Sequence, residues 1–100
     1  MKIEILETAE SDLVEGFHFY EEQNAGLGWH FLESLFSDID SLLQTAGTHQ
    51  LIFGFHRCLA KRFPFAIYYS VVGNVIQVFA VLDCRRRPSW TRKRLRPEGA

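Results

Sequence analysis

Positive charge is almost missing from the first 56 residues. Lys2 stands alone there against ten acidic side chains, whereas residues 57–100 hold ten Lys/Arg against Asp83 and Glu98. Seven of those ten cations fall between Arg85 and Arg96. So uneven a distribution implies a basic face for an anionic partner, the alternative being a solvated tail that serves solubility. Cysteine is equally scarce. Cys58 and Cys84 have no CxxC spacing, which excludes a disulfide framework or thiolate metal site and leaves both as reduced, space-filling strand residues. His18, His30 and His49 stand apart from other ligand types, so no metal is expected. The absence of a P-loop or a dinucleotide glycine fingerprint leaves no cofactor expected either. The longest uncharged run, Phe63 to Leu82, is interrupted by Pro64, Gly73, Asn74 and Gln77 and reads as a hairpin rather than a membrane span. The opening MKIEILETAESDL has neither an apolar signal core nor an Arg/Ser-rich transit pattern. A cytoplasmic protein without membrane contact is the expectation.

What is present suffices for one core. The 47% apolar content and nine phenylalanines serve a single domain, 1–100, that would bury about 60–65% of its extended surface. The basic segment 85–100 forms its end.

Lys2 to Leu6 alternates like a short strand. Thr8 offers a helix N-cap, followed by Glu10 and Asp12 where the helix dipole favours negative charge. Ala9, Leu13, Phe17 and Tyr20 form one apolar stripe with Val14 beside it, and Gly16 weakens this helix slightly. The run Asn24-Ala25-Gly26-Leu27-Gly28 ends it. A second helix follows from Leu27, Phe31, Leu32, Leu35, Phe36, Ile39, Leu42 and Leu43, with Gly47 placed as its C-terminal cap. So short a link makes an antiparallel helical hairpin. From Phe55 the period changes to strands over 55–61, 66–72 and 75–82. Gly73-Asn74 is a type II′ turn, and the last strand is apolar enough on both faces to be interior. The chain then ends in a frayed turn or short helix. The fold class is α+β, in the order β-α-α-β-β-β: a helical hairpin on one face of a mainly antiparallel four-stranded sheet. Its other face is open for binding.

Three segments carry a family resemblance across the whole chain. AESDLVEGFHFYEEQNAGLGWHFLESL is similar to A-x-x-D-L-x-x-x-x-x-(F/W)-Y followed by a glycine bend. GFHRCLAKRFPFAIYYSV resembles G-x-R-x-x-x-x-x-(F/L)-P-(F/Y)-x-I-x-Y. VIQVFAVLDCRRRPSW is similar to V-x-V-x-x-V-x-(H/D)-x-R-R-D-P, with Arg87 in place of Asp. Together they resemble the RelE/ParE toxin superfamily. The resemblance implies the toxin of a type II toxin–antitoxin system, linked to plasmid stabilisation and growth arrest and neutralised by a cognate antitoxin protein. Phe19 and Trp29 are candidates for antitoxin binding, the alternative for each being core packing.

The superfamily divides between ParE-like inhibitors of DNA gyrase and RelE-like ribosome-dependent mRNA endoribonucleases (mRNA interferases). RNA cleavage needs a base, an acid and cations around the phosphate. At the family's nuclease positions Arg57 and Arg85 keep a cation, while Leu59, Ala66 and Thr91 hold groups that do not serve. Lys61 and Arg62 stand near the lost positions. The catalytic candidates, if the protein is an enzyme, are therefore Arg57, Lys61, Arg62 and Arg85. His56 and Tyr69 offer proton transfer, although alternation sets His56 and Arg57 on opposite sheet faces. For a gyrase target the binding candidates are Arg85, Arg86, Arg87, Trp90, Arg92, Lys93 and Arg94. Cations beside a large aromatic suit an acidic groove or a nucleic-acid backbone. Gyrase is the favoured target and mRNA the alternative. A further alternative is a decayed, non-toxic homologue that only binds antitoxin or nucleic acid. Truncation after Pro88 is expected to separate gyrase inhibition from antitoxin binding.

Overall fold

The computed structural model describes residues 1–96; the end of the basic segment, 97–100, lies outside the described residues. The elements are β1 (Lys2–Ile5), α1 (Glu7–Gln23), α2 (Leu27–Asp40), α3 (Leu42–Thr45), β2 (Leu51–Ile52), β3 (Phe55–Leu59), β4 (Phe65–Val72), β5 (Val75–Asp83) and α4 (Pro88–Leu95). The sheet has five strands in the order β1-β5-β4-β3-β2, parallel only between β1 and β5. Four were expected. The extra strand is the two-residue β2, too short to show a period-2 pattern, and it pairs back on β3 through Phe53-Gly54. Both turn residues take positive φ, 52° at Phe53 and 87° at Gly54, a combination the hairpin twist favours but a phenylalanine seldom adopts. At the β4–β5 turn Gly73 has φ 59°, and Asn74 does not share a positive φ, as type II′ requires. β5 lies between β1 and β4 and is interior, as its two apolar faces imply.

The helical hairpin closes on backbone contact. Ala9, Leu13, Gly16 and Tyr20 are the buried stripe of α1, whereas Val14 is exposed. Gly16 lies where Phe31 of α2 presses: a Cβ there would be 2.5 Å from the ring's Cζ. Gly28 makes the reciprocal approach to the Phe17 carbonyl. Glu21 ends the hairpin turn by accepting the amides of Gly26 and Gly28, placing a carboxylate at the positive N-terminus of α2. Phe31, Leu35, Ile39 and Leu42 point into the main core with Phe65, Ile67, Tyr69, Ile76 and Val78. Phe36 and Leu43, expected on the same stripe, are exposed; eight apolar positions span a wider arc than one buried face. Gly47 takes φ 85° just past α3 and donates its amide to the Tyr69 hydroxyl.

The second sheet face is not open. Of the frayed turn or short helix expected at the end, the structure has the helix, α4, with Pro88 at its first turn, where proline's missing N–H and fixed φ are tolerated. Its Leu95 is fully buried against Ala66, Tyr68, Ala80 and Leu82, with Trp90, Ile52, Phe55 and Phe79 around them. Small residues at 66 and 80 make room for this second core. Among the described residues no helix is long and apolar enough to cross a membrane.

Candidate functional site

The basic segment is built around the free edge of β5. β1 pairs β5 only as far as Val78, so the backbone beyond it needs other partners. α1 supplies them one turn apart. Thr8 does not cap α1, whose N-cap is Leu6; its hydroxyl donates to the Phe79 carbonyl at 2.6 Å. Asp12 accepts the Val81 amide at 3.0 Å. The same carboxylate receives the Arg94 guanidinium, 2.6 Å to Oδ1. One acid thus ties together α1, β5 and α4. Burial holds the Asp12 carboxyl above the usual carboxylate range, outweighing the hydrogen bonds from Arg94 and Val81.

The remaining cations divide by what they touch. Arg85 forks onto Asp83, Nε to Oδ1 at 2.9 Å and Nη2 to Oδ2 at 2.7 Å, and those hydrogen bonds hold Asp83 below its ordinary pKa. Arg86 lies over the Trp90 ring at 4.4 Å, and Arg92 over Phe53 at 5.4 Å, a geometry that holds a guanidinium without neutralising it. Arg87 and Lys93 are exposed. Neither makes an ion pair among the described residues. Of the seven expected target-binding residues, Arg94 and Arg85 are therefore committed to carboxylates and the half-buried Trp90 packs against the second core, while Arg86, Arg87, Arg92 and Lys93 remain on the surface of one segment. A groove of about 130 Å³ runs beside it, lined by Asp12, Phe19, Asp83, Arg86 and Trp90 among others.

The four nuclease candidates do not share a face. Arg57 pairs across from Tyr68 on the α4 side of the sheet, with Nε 3.2 Å from the Tyr68 hydroxyl and Nη2 3.6 Å from Cys84 Sγ. Arg85 lies on the other side, near the Tyr20 phenol. Lys61 and Arg62 flank α2 with His30, Glu33 and Asp38, and Asp38 accepts the Lys61 amide at 3.0 Å. On the Arg57 face, Ala66 is sealed under Leu95, so of the four candidates that face carries Arg57 alone, held by a hydroxyl and a thiol. His56 is on the helical side: its Nδ1 donates to the His49 carbonyl at 2.7 Å and its ring stacks on Tyr69. His49 Nδ1 in turn meets the Tyr69 hydroxyl at 2.6 Å.

The antitoxin candidates are both outside the core, Phe19 49% and Trp29 62% exposed. They belong to different surfaces. Phe19 lines the groove beside α4, and Trp29 opens a groove on the outer side of α2.

No family model matches the chain, and no curated protein matches its sequence. Among solved structures, a chain of the chromosomal ParDE TA system from P. aeruginosa is similar, with a TM-score of 0.73. The match covers 81% of this chain and 92% of that one at 19% identity. The protein has the RelE/ParE-like fold. Within this fold, the sequence reading assigned Thr8, Asp12 and Arg94 other roles (helix cap, first-turn acid and target contact) and did not show that they join α1 to β5 and the C-terminal segment. Thr8 and Asp12 stand four apart, so their shared helix face was readable, but nothing in the sequence pointed that face at β5.

Proposed function

We propose that this RelE/ParE-like chain is the toxin of a toxin–antitoxin pair, neutralised by a cognate antitoxin, and that its target is DNA gyrase. The observation that carries the choice of target is the sheet face beneath α4. Ala66 is buried there under Leu95, and Arg57 is its lone catalytic candidate. Stabilising a pentavalent phosphate takes several convergent donors. A basic surface on a docked helix instead supports binding to an acidic protein groove. The similar ParDE system supports an antitoxin as partner.

Truncation after Pro88 is the wrong test, because it deletes Trp90 and Leu95 from the second core and Arg94 from the Asp12 clasp. The test that preserves the fold is Arg87→Gln with Lys93→Gln. Both side chains are exposed. Purified full-length protein should inhibit gyrase supercoiling with increasing dose, and the double variant should lose most of that inhibition at an unchanged melting temperature. Growth-arresting protein that leaves supercoiling untouched overturns the gyrase assignment. It would move the target to RNA, with Arg57, Lys61, Arg62 and Arg85 as the residues to replace. Induction without growth arrest overturns the toxin reading and leaves a non-toxic homologue.

A further inference from the structure

The turn between β2 and β3 holds a side chain that the fold does not need. Its two central residues, Phe53 and Gly54, both take positive φ, 52° and 87°. A two-residue turn of this kind normally carries Asn-Gly, Asp-Gly or Gly-Gly, the residues that enter the left-handed region at little cost. Gly54 follows the rule. Phe53 breaks it, since a bulky side chain without local hydrogen bonds crowds the following carbonyl in that region. Burial does not compensate. Ile52 and Phe55 on either side pack against the second core, whereas Phe53 belongs to neither core and is 44% exposed. What the ring does meet is the Arg92 guanidinium of α4, 5.4 Å from its centroid. Arg92 is itself exposed and makes no ion pair among the described residues. Backbone strain of this sort collects at contact sites, where the side chain it presents serves a partner rather than the fold.

We infer that Phe53 is the apolar contact of the target-binding surface, which it extends from α4 onto the β2–β3 turn. The inference deepens the gyrase reading and rests on it for the identity of the target. An aromatic ring beside an arginine is the composition that dominates the centre of protein interfaces. The ring fills an apolar depression on the target, and Arg92, its charge still free, pairs with a carboxylate at the rim. A nucleic-acid strand is engaged differently, by several rings on which successive bases stack. Here the Trp90 ring is taken up by Arg86 and by the second core, which leaves Phe53 as a single ring.

The test uses purified full-length protein and two variants, read by gyrase supercoiling, by growth arrest on induction at matched protein level, and by thermal melting. Phe53→Asn relieves the left-handed strain and removes the ring. It should melt at or above the parent temperature, yet about ten-fold or more protein should be needed for the same inhibition, the loss expected at an interface hot spot. Phe53→Tyr keeps the ring and should inhibit as the parent does. A Phe53→Asn protein with full inhibition and full growth arrest overturns the inference, as do equal losses in both variants. A melting temperature lowered by more than about 4 °C in Phe53→Asn also overturns it, because the ring would then be a brace that holds α4 through Arg92. Parent protein that arrests growth and leaves supercoiling untouched sinks the gyrase reading alone. Growth arrest weakened by Phe53→Asn would in that case keep the ring as a target contact, and unweakened arrest would remove it. A parent chain that neither inhibits gyrase nor arrests growth overturns both.

Discussion

Replacing Gly16 by alanine sets helix propensity against packing, and the structure decides the sign. On propensity alone, Gly→Ala inside α1 should stabilise by about 1 kcal/mol. The added Cβ would stand 2.5 Å from Phe31 Cζ and 2.6 Å from Cε2, where carbon atoms normally rest about 3.5–4.0 Å apart. The ring has nowhere to go. It is fully buried and held by Tyr20, Phe63 and Phe65 at centroid distances of 5.2, 5.2 and 5.0 Å. Relief therefore requires α1 and α2 to move apart, with an overpacking cost in the upper part of the usual range, about 2–3 kcal/mol. Net destabilisation should be about 1–2 kcal/mol, which lowers the melting temperature by about 4–16 °C for a domain of this size. Thermal melts followed by circular dichroism would measure it. Gly28→Ala should lose more, because its Cβ would meet the Phe17 carbonyl oxygen at 2.6 Å, and backbone does not swing aside. Gly26→Ala meets no atom within 4 Å but holds φ at 91°, so it should lose only about 1–2 kcal/mol of left-handed strain. A Gly16→Ala protein that melts at or above the parent temperature would refute the argument that backbone proximity sets this helix pair.

Three further outcomes follow from the second core and the acid pairs. Leu95→Ala should cost about 2–5 kcal/mol if α4 unfolds with the rest of the chain. Faster hydrogen exchange confined to 88–96 would show instead that α4 detaches alone. Asp12→Asn keeps an acceptor for the Val81 amide but breaks the pair with Arg94, so α4 should loosen in the same exchange experiment. Because the Asp12 pKa is raised, folding favours its protonated form, and the ionised acid subtracts stability as pH rises past the unfolded carboxylate value; the asparagine variant should lack that decline. Asp83 is the opposite case. Its lowered pKa contributes stability that is full above the unfolded value of about 3.9 and fades as pH falls through the folded one. With Arg85 largely exposed, the contribution should stay below about 1 kcal/mol, and denaturant midpoints of Asp83→Asn between pH 2 and pH 6 would check it.

The sequence by itself determined the elements whose signals are local. The 3.6-residue stripe around Phe31, Leu35 and Ile39, the Gly73-Asn74 turn, and the switch to strands after Phe55 depend on neighbours in the chain. The helical hairpin and the β3–β5 meander were legible for that reason. The charge asymmetry was legible too, since it is a count. Only the tertiary structure decided which charges remain available. Arg85 and Arg94 look like Arg87 and Lys93 in a string of cations, yet Arg94 meets an aspartate 82 residues away and Arg85 one two residues away. The closed second face was hidden for a related reason. Leu95 is the only aliphatic side chain between Arg85 and Arg96, too few for any periodicity, and its burial needs Ala66 and Ala80 from two different strands to leave it space. Conversely Phe36 belonged by spacing to the core helix and by geometry to its outside, because a stripe eight residues wide exceeds what one sheet can cover. Local pattern fixes what a segment becomes. Which of its faces is left for a partner is set by residues far away in the chain.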